Sequence, residues 1–461
     1  MLFSGNVFLF AFLPTVLAVY YLCPRVLRNP VLLIFSLLFY GWGEPVYLIL
    51  MVATILLNYA FGFLIHSCQQ KGRSGKWALI AGITANLLLL GYFKYADFLL
   101  EQLKLLIPGL SSLQLPQITL PIGISFYIFQ SMSYIIDVYR GDTQVQKNPL
   151  DFGTYVALFP QLIAGPIVRY RDVVTALGQR QETVAGFSSG VVLFTAGLAK
   201  KVLLANPMGN LWQQLQSQPG TVAAWVGLAA YALQIYFDFS GYSNMARGLG
   251  RMFGFEFLEN FNYPYICRSI TDFWRRWHIS LSTWFKEYVY IPLGGNRKGL
   301  PRQLVNIGIV WMLTGLWHGA SWNFLLWGVY YALLLILEKA FLLKLLNKLP
   351  KAAAHLYALL AVMLGWALFY FEDLTLLGQF LGRLFSFTPT NSQGLQLITG
   401  FAPLLLTACI AATPAAKKCL LKIDNTAGAS ALRFLAVAVG LLLCTAALAS
   451  QSYNPFIYFR F

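Results

Sequence analysis

Two histidines, each preceded by a tryptophan, are the side chains of this sequence best suited to acid–base chemistry. They are His278 in Trp277-His278 and His318 in Trp317-His318, and the chain has four histidines in all. A neutral imidazole can take a proton from an attacking hydroxyl. An ionisable group in an apolar chain is costly unless it faces protein or water, so both are functional candidates. The alternatives are a structural hydrogen bond between helices for His318 and a bystander on a helix surface for His278.

His318 lies near the middle of a charge-free run. Residues 303–337 contain no Asp, Glu, Lys or Arg. As one helix they would extend about 52 Å, which exceeds a hydrocarbon core of about 30 Å, whereas two full spans need about 40 residues. We therefore predict a bent or broken helix, with Gly319 supplying the break and Ser321 capping the helix that follows. His318 should then lie deep in the protein as a neutral imidazole.

The stretch around His278 is aromatic, basic and interrupted by prolines, so it is not a simple membrane span. Ser269-Ile270-Thr271-Asp272 has the form of a helix start. Its aspartate precedes Arg275 and Arg276 at spacings that favour ion pairs on a helix. We predict one amphipathic helix over about 272–288 at the membrane boundary. Four residues at helical spacing would share its inward face: Trp274, His278, Leu281 and Phe285.

Composition indicates the environment of these elements. The 461 residues are 58% hydrophobic and 11% charged, whereas soluble proteins carry about 25% charged residues. Apolar runs of spanning length recur, so we predict an all-α polytopic membrane protein with about 11 transmembrane helices. Segments 31–43 and 151–168 are too short to cross alone and are predicted to be half-helices or re-entrant pieces. Because no soluble linker or repeat interrupts the chain, residues 1–461 are predicted to form one membrane-embedded domain.

The N-terminal segment, the cysteines and the net charge have ordinary interpretations. Residues 1–22 lack a basic start and a cleavage site, so they are predicted to be a retained first helix rather than a signal peptide. The six cysteines are scattered without Cys-x-x-Cys spacing, and neither disulfides nor a metal site is expected. The net charge of +16 is attributed mainly to cytoplasmic loops and lipid headgroups. Attraction of a phosphate-bearing ligand is the alternative.

Three weaker motifs carry less specific chemistry. Gly186-Phe187-Ser188-Ser189-Gly190 matches the nucleophile motif of serine hydrolases but lacks the strand that must precede it. The basic segment 294–299 is glycine-rich like a phosphate-binding loop, and a plain basic turn is the alternative. Asp238 ends an apolar run, where we expect it to cap the next helix or to pair with Arg247.

Five segments with distinctive sequences are distributed along nearly the whole chain. They are FPQLIAGPIVRY at 159–170, DFWRRWHISLS at 272–282, IPLGGNR at 291–297, GLWHGASW at 315–322 and NPFIYFRF at 454–461. Together they resemble the membrane-bound O-acyltransferases, and most closely the bacterial alginate O-acetylase branch. The resemblance is weakest over residues 340–450.

The resemblance implies a ring of helices around a central tunnel, with re-entrant and interfacial helices. His318 matches the family's catalytic histidine, and His278 matches its second characteristic polar residue. The donor would be cytoplasmic acetyl-CoA, used as a substrate with no permanently bound cofactor. Four basic residues would hold its phosphates: Arg275, Arg276, Arg297 and Lys298.

The same resemblance implies a multi-pass protein of the bacterial inner membrane. The acceptor would be an exported polysaccharide, and the partners would be an extracytoplasmic acyl-esterase-like transferase and the polysaccharide export machinery. Membrane lipids surround such a protein, and no nucleic acid is expected to bind.

Several alternatives stay open at this point. An acetyl-histidine relay and direct attack assisted by His318 fit the sequence equally, and a carrier-protein thioester could replace CoA. The acceptor could be alginate, cellulose, peptidoglycan or another glycan. A transporter of lipid-linked saccharides would also have many spans, but the sequence lacks the two halves with matching broken helices that transporters often show. A scaffold for the export machinery is a further alternative, against which a deep His318 argues.

Overall fold

The computed structural model describes residues 1–461 apart from 111, 112, 114–116, 164, 416, 419–427, 451–456 and 458–461. Throughout these described residues the regular structure is helical. Ala164, Cys419 and, except for Ile457, the 454–461 ending lie outside them. The other five cysteines are free thiols.

The α-helices follow one another with short connections. In the first half of the chain they are α1 Leu13–Leu22, α2 Arg28–Gly41, α3 Tyr47–Gln70, α4 Lys76–Leu106, α5 Ile124–Arg140, α6 Pro149–Ala157, α7 Phe159–Leu162, α8 Tyr170–Gln179, α9 Val184–Ala199, α10 Asn206–Leu215 and α11 Thr221–Met252. In the second half they are α12 Ile270–Arg276, α13 Ile279–Phe285, α14 Gly299–His318, α15 Trp322–Leu337, α16 Leu343–Leu346, α17 Lys351–Tyr370, α18 Leu374–Phe385, α19 Ser392–Ala411 and α20 Ala429–Ser450. π-Helical turns at Phe8–Phe12, Lys200–Ala205, Lys286–Tyr290 and Glu338–Leu342 extend or join some of them.

Seven helices among the described residues are long and apolar enough to cross a membrane. They are α3, α4, the continuous stretch Val184–Leu215, α11, α17, α19 and most of α20. Shorter apolar helices at Phe8–Leu22 and Leu374–Phe385 accompany them. The predicted all-α polytopic membrane protein is thereby confirmed, whereas the count of about 11 spans and the central tunnel stay predictions. The two segments predicted to be too short to span alone correspond to α2 and to the pair α6–α7.

The described chain divides into two compact units, and the prediction of a single domain stays a prediction. Unit 1 comprises Met1–Gly190 and Ala246–Leu258. Within it, α3 packs against α4, α5 and α6, and α2 packs against α6. Asn58 of α3 and Asn86 of α4 are buried and exchange two hydrogen bonds of 3.0 and 2.8 Å. This exchange satisfies polar side chains that face apolar surroundings.

Unit 2 comprises Val191–Met245 and Glu259–Phe461, and it contains both candidate histidines. Its α14 packs along α15, α15 packs against α17, and α12 contacts both α15 and α17. The α14–α15 pair meets at Gly315 and Gly328. A Cβ atom on Gly315 would clash with the Phe324 carbonyl oxygen, and one on Gly328 would clash with that of Trp311. These two helices therefore approach as closely as their backbones allow.

We expect Gly315→Ala to destabilise the protein by about 1–3 kcal/mol, because the added methyl group meets backbone rather than a flexible side chain. Gly308→Ala is the matched control, since Gly308 lies in the same helix and a Cβ there meets nothing within 4 Å. Thermal inactivation of the two purified variants in one detergent measures the difference. Equal midpoints for both variants would contradict this packing.

Two of the weaker sequence motifs are accounted for by the fold. The segment 186–190 lies inside α9, and none of the described residues forms a strand before it, so the structural context of a hydrolase nucleophile is missing. Asp238 lies within α11 rather than at a helix end. Its carboxylate pairs with the ammonium group of Lys201 at 2.7 Å, and Arg247 donates to the Phe257 carbonyl oxygen at 3.3 Å. Both roles predicted for Asp238 are therefore wrong.

Candidate active site

His278 lies at a break between two short helices. It has left-handed backbone angles, φ 45° and ψ 54°, between the end of α12 and the start of α13. The backbone N–H groups of Ile279 and Ser280 donate to the carbonyl and side-chain oxygens of Asn260, each at 3.1 Å. These bonds replace those of a continuing helix. The predicted single helix over 272–288 is therefore wrong.

An aromatic cluster fixes the residue before the break. The Trp277 ring is buried, and its centroid lies 4.8 Å from that of Trp366, 5.0 Å from that of Phe261 and 5.5 Å from that of Phe273. Aromatic pairs at such separations stabilise one another beyond the burial of their area. The cluster holds Trp277 in an extended conformation that ends α12.

The start of α12 has the contacts predicted from the sequence and one further partner, Glu338, that was not predicted. The Ser269 hydroxyl oxygen accepts from the Asp272 N–H at 3.0 Å, and Arg276 pairs with Asp272 at 2.8 Å. The buried carboxylate of Glu338, at the end of α15, accepts the N–H groups of Ile270 and Thr271 at 2.6 and 2.8 Å. A sequence signal existed, because Glu338 is the first charged residue after the run 303–337.

His318 is the last residue of α14, as the predicted helix break requires. Gly319 is extended, with φ 178°, so conformational freedom does not explain the glycine. A Cβ atom there would instead clash with the Phe324 ring. Ser321 occupies the predicted N-cap position, but its side chain makes no capping hydrogen bond. The Asn323 amide holds this end of α15 by donating to the Phe369 carbonyl oxygen of α17 at 3.2 Å.

Aromatic rings surround the His318 imidazole, which is 3% exposed. The ring centroids of Trp317 and Trp327 each lie 4.9 Å from that of the imidazole, and the Phe369 centroid lies 5.2 Å from it. The predicted deep position of His318 is confirmed.

Trp317 brings the two candidate histidines into one site. Its ring centroid lies 5.9 Å from that of His278 and 4.9 Å from that of His318. On another side, the ring of Phe239 from α11 packs edge-on against His278 at 4.8 Å. Burial lowers the pKa of the His278 imidazole to about 3, so it is neutral at physiological pH.

A cavity of about 460 Å³ lies beside these rings, between α12–α13 and α14. The four residues predicted to share an inward face all line it, although no single helix carries them: Trp274, His278, Leu281 and Phe285. On the opposite wall, Thr314 lies four residues before His318, and on a helix these two share a face. The cavity wall therefore includes the residue one helical turn before His318, while His318 itself is not among the lining residues.

The basic residues predicted to hold phosphates are divided among different surroundings. Arg275 lines the large cavity, and Arg297 lines a second cavity of about 240 Å³ with the glycine-rich turn 294–296. Arg276 is occupied by Asp272 and by the Asn262 carbonyl oxygen at 3.3 Å. Lys298 is exposed and is not among the lining residues of these two cavities.

A further cation, not predicted from the sequence, lies between the two cavities. Lys286 is exposed and lines both of them, as does Tyr290. Lys286 lies eight residues after His278, a separation close to two helical turns. This spacing was the available signal.

Residues 143–378, slightly more than half of the chain, match MBOAT, the membrane-bound O-acyltransferase family. Over the full length of both chains, this sequence is 41% identical to a probable alginate O-acetylase of Pseudomonas putida. The chain belongs to the membrane-bound O-acyltransferase family. A probable alginate O-acetylase of Azotobacter vinelandii is also 41% identical over both full lengths. A peptidoglycan O-acetyltransferase of Helicobacter pylori is 34% identical over 81% of this chain and 78% of that protein.

The family match covers the site of this O-acyltransferase. His278, His318 and the lining of both cavities all fall within 143–378, as does Glu338. The protein is thus a multi-pass membrane enzyme that transfers acyl groups to oxygen. The individual roles of its two histidines and its basic residues stay predictions.

Proposed function

We propose that this O-acyltransferase passes acetyl groups from cytoplasmic acetyl-CoA across the bacterial inner membrane for O-acetylation of an exported polysaccharide. An alginate-type acceptor is favoured by the full-length relatives named as probable alginate O-acetylases. The main support for the proposal is that Trp317 contacts the buried imidazoles of both His278 and His318. The cavity that His278 lines is also lined by the cations Arg275 and Lys286. Such an arrangement suits a base and an anionic donor.

His318 is the proposed general base. Its neutral imidazole takes the proton of the acceptor hydroxyl as that oxygen attacks the thioester carbon. The carbon–oxygen bond forms, the carbon–sulfur bond breaks, and the CoA thiolate receives the proton back from the imidazole. The aromatic walls exclude water and so limit hydrolysis of the thioester. Attack by His318 itself, giving an acetyl-histidine relay, is the alternative route.

The phosphates of acetyl-CoA are the proposed ligands of the basic residues at the cavities. Arg275 and Arg297 line the cavities and have exposed side chains, which suits charge-assisted hydrogen bonds to phosphate oxygens. Lys298 is adjacent to Arg297 in the chain and is also exposed. Arg276 is the weakest of the four candidates, because Asp272 already pairs with it.

Family membership supports a proposal for the wider arrangement. We propose about 11 spans around a central tunnel, with lipids outside it and the acceptor reached through an extracytoplasmic acyl-esterase-like partner and the polysaccharide export machinery. Peptidoglycan is the second candidate acceptor, because the Helicobacter pylori relative is named for it.

The donor is tested with purified protein in liposomes and acetyl-labelled CoA. We expect the parent protein to consume acetyl-CoA, and Arg275→Ala to raise KM about tenfold with kcat nearly unchanged, which corresponds to one lost charge-assisted bond of about 1.5 kcal/mol. Arg302→Ala is the control, since this exposed arginine is not among the lining residues of either cavity.

Other outcomes of this experiment separate the rival functions. If the protein consumes an acetylated carrier protein but not acetyl-CoA, the donor is the carrier-protein thioester. Movement of a lipid-linked saccharide without any acetyl transfer would favour a transporter and contradict the proposal.

A further inference from the structure

Asn260 is a buried amide that holds the backbone around His278. It lies between α11 and α12 and is 1% exposed. Its main-chain oxygen accepts the Ile279 N–H at 3.1 Å. Its side-chain oxygen Oδ1 accepts the N–H and the hydroxyl of Ser280 at 3.1 and 3.0 Å. The remaining contact of Oδ1 is with Nδ1 of His278 at 3.3 Å.

These bonds fix which atom of the amide faces the imidazole. The backbone N–H of Ser280 can only donate, so the Asn260 atom 3.1 Å from it must be the oxygen and not the NH2 group. An amide oxygen carries no hydrogen. The contact with Nδ1 of His278 is therefore a hydrogen bond in which Nδ1 is the donor.

The position of one ring hydrogen determines the state of the other nitrogen. Burial lowers the pKa of the His278 imidazole to about 3, which keeps the ring neutral. A neutral imidazole carries a single hydrogen. With that hydrogen on Nδ1, Nε2 bears the lone pair and can only accept.

The backbone of His278 shows why this hold is needed. Left-handed angles in a residue other than glycine cost about 1–2 kcal/mol, and such residues persist where the surroundings over-determine them. Here Asn260 bonds to each of the three consecutive residues His278, Ile279 and Ser280. The turn that places the His278 ring at the cavity thus depends on one side chain and one carbonyl group of Asn260.

We propose that Asn260 is a positioning residue that holds His278 in the Nδ1–H tautomer, so that His278 offers a hydrogen-bond acceptor to the substrate in the cavity. The inference rests on the proposed acyl transfer for its substrate, and the ligand chemistry it requires is a hydroxyl or amide hydrogen. This tautomer also limits the hydrogen bonds that His278 can make. Its Nε2 cannot donate to the oxyanion that develops on the thioester carbonyl, so that stabilisation must come from other groups.

The tautomer is tested directly by nitrogen-15 NMR of histidine-labelled protein in lipid, without any substrate. The chain has only four histidines, and the signals of His278 are identified by their loss in His278→Gln. We expect a protonated Nδ1 and an unprotonated Nε2 at neutral pH. A protonated Nε2 on His278 in the parent protein would overturn the proposal, whatever the variants do.

Kinetics test the positioning role. We expect Asn260→Ala to lower kcat about 10–100-fold, the scale of a misplaced catalytic group, with KM within about twofold and a mixture of His278 tautomers. Asn260→Asp keeps an acceptor oxygen, so we expect Nδ1 to stay protonated and much of kcat to return. This rescue also keeps the test decisive if the alanine variant does not fold.

Ser280→Ala is the matched control, because it removes another bond to the same Oδ1 but leaves the contact with His278. We expect its tautomer to be unchanged and its kcat to stay within about threefold of the parent. Equal kcat values for Asn260→Ala and Ser280→Ala would reject the positioning role. Failure of the proposed function is distinguishable, since it removes acetyl transfer from the parent while the NMR spectrum still reports the tautomer.

Discussion

His318→Ala is expected to lower acetyl transfer from acetyl-CoA by about 10²–10⁴-fold, the usual contribution of a general base. The physical reason is that a hydroxyl is a weak nucleophile until a positioned group removes its proton. The surrounding rings of Trp317, Trp327 and Phe369 belong to other residues and remain in place. The variant should therefore fold and insert, and its transfer of label from acetyl-CoA in liposomes is the measurement.

His66→Ala is the control for His318→Ala, because His66 lies in α3 of unit 1 and outside the site. His318→Gln tests whether a polar side chain without a base suffices, and we expect it to be as inactive as the alanine variant. Full acetylation by a well-folded His318→Ala protein would reject the assignment. Rapid acid quenching separates the two routes, since only a relay leaves label on the parent protein that His318→Ala lacks.

Glu338→Ala is expected to cost at least about 3 kcal/mol of stability, because it leaves buried donors without an acceptor. The carboxylate is 1% exposed and accepts two backbone N–H groups, from Ile270 and Thr271, as well as the Thr271 hydroxyl at 2.7 Å. These bonds fix the start of α12, which carries Arg275. We also expect acetyl transfer by the folded fraction to fall about 100-fold, since small displacements of positioning elements have effects of this size.

Thermal inactivation and acetyl-CoA turnover of the same preparations measure both effects of Glu338→Ala. Lys339→Ala is the matched control, because the neighbouring lysine is exposed. Glu338→Gln keeps one acceptor oxygen but presents an NH2 group to backbone donors, so its stability should lie between those of the parent and the alanine variant. A Glu338→Ala protein as stable and active as Lys339→Ala would show that this cap is dispensable.

Short-range patterns predicted the parts of the site that depend on neighbouring residues. The helix start at Ser269 and the Asp272–Arg276 pair involve residues three and four apart. The break after His318 followed from the length of a charge-free run compared with a membrane. The family motifs marked both histidines, and the structure brings both of them into contact with one tryptophan ring.

Contacts between residues far apart in the sequence explain why the predictions for 272–288, Gly319 and Ser321 were wrong or incomplete. The helix predicted over 272–288 breaks because Asn260, 18 residues before His278, takes the hydrogen bonds of the turn. Gly319 is required by the ring of Phe324 rather than by its own backbone angles. The Ser321 cap is absent, and Asn323 instead holds this end of α15 by donating to a carbonyl group of α17.

Composition and short motifs were enough to predict an all-helical membrane enzyme, the end of the helix at His318, and the candidate histidines and arginines. Composition, residue spacing and family motifs can all be read from the sequence without knowing how the helices pack. Knowledge of the packing was needed to find that Asn260 sets the turn and tautomer of His278, and that Glu338 caps a helix 68 residues earlier in the chain. A buried hydrogen bond forms between groups that packing brings to within about 3 Å of each other. Their separation in the sequence does not reveal which groups these are.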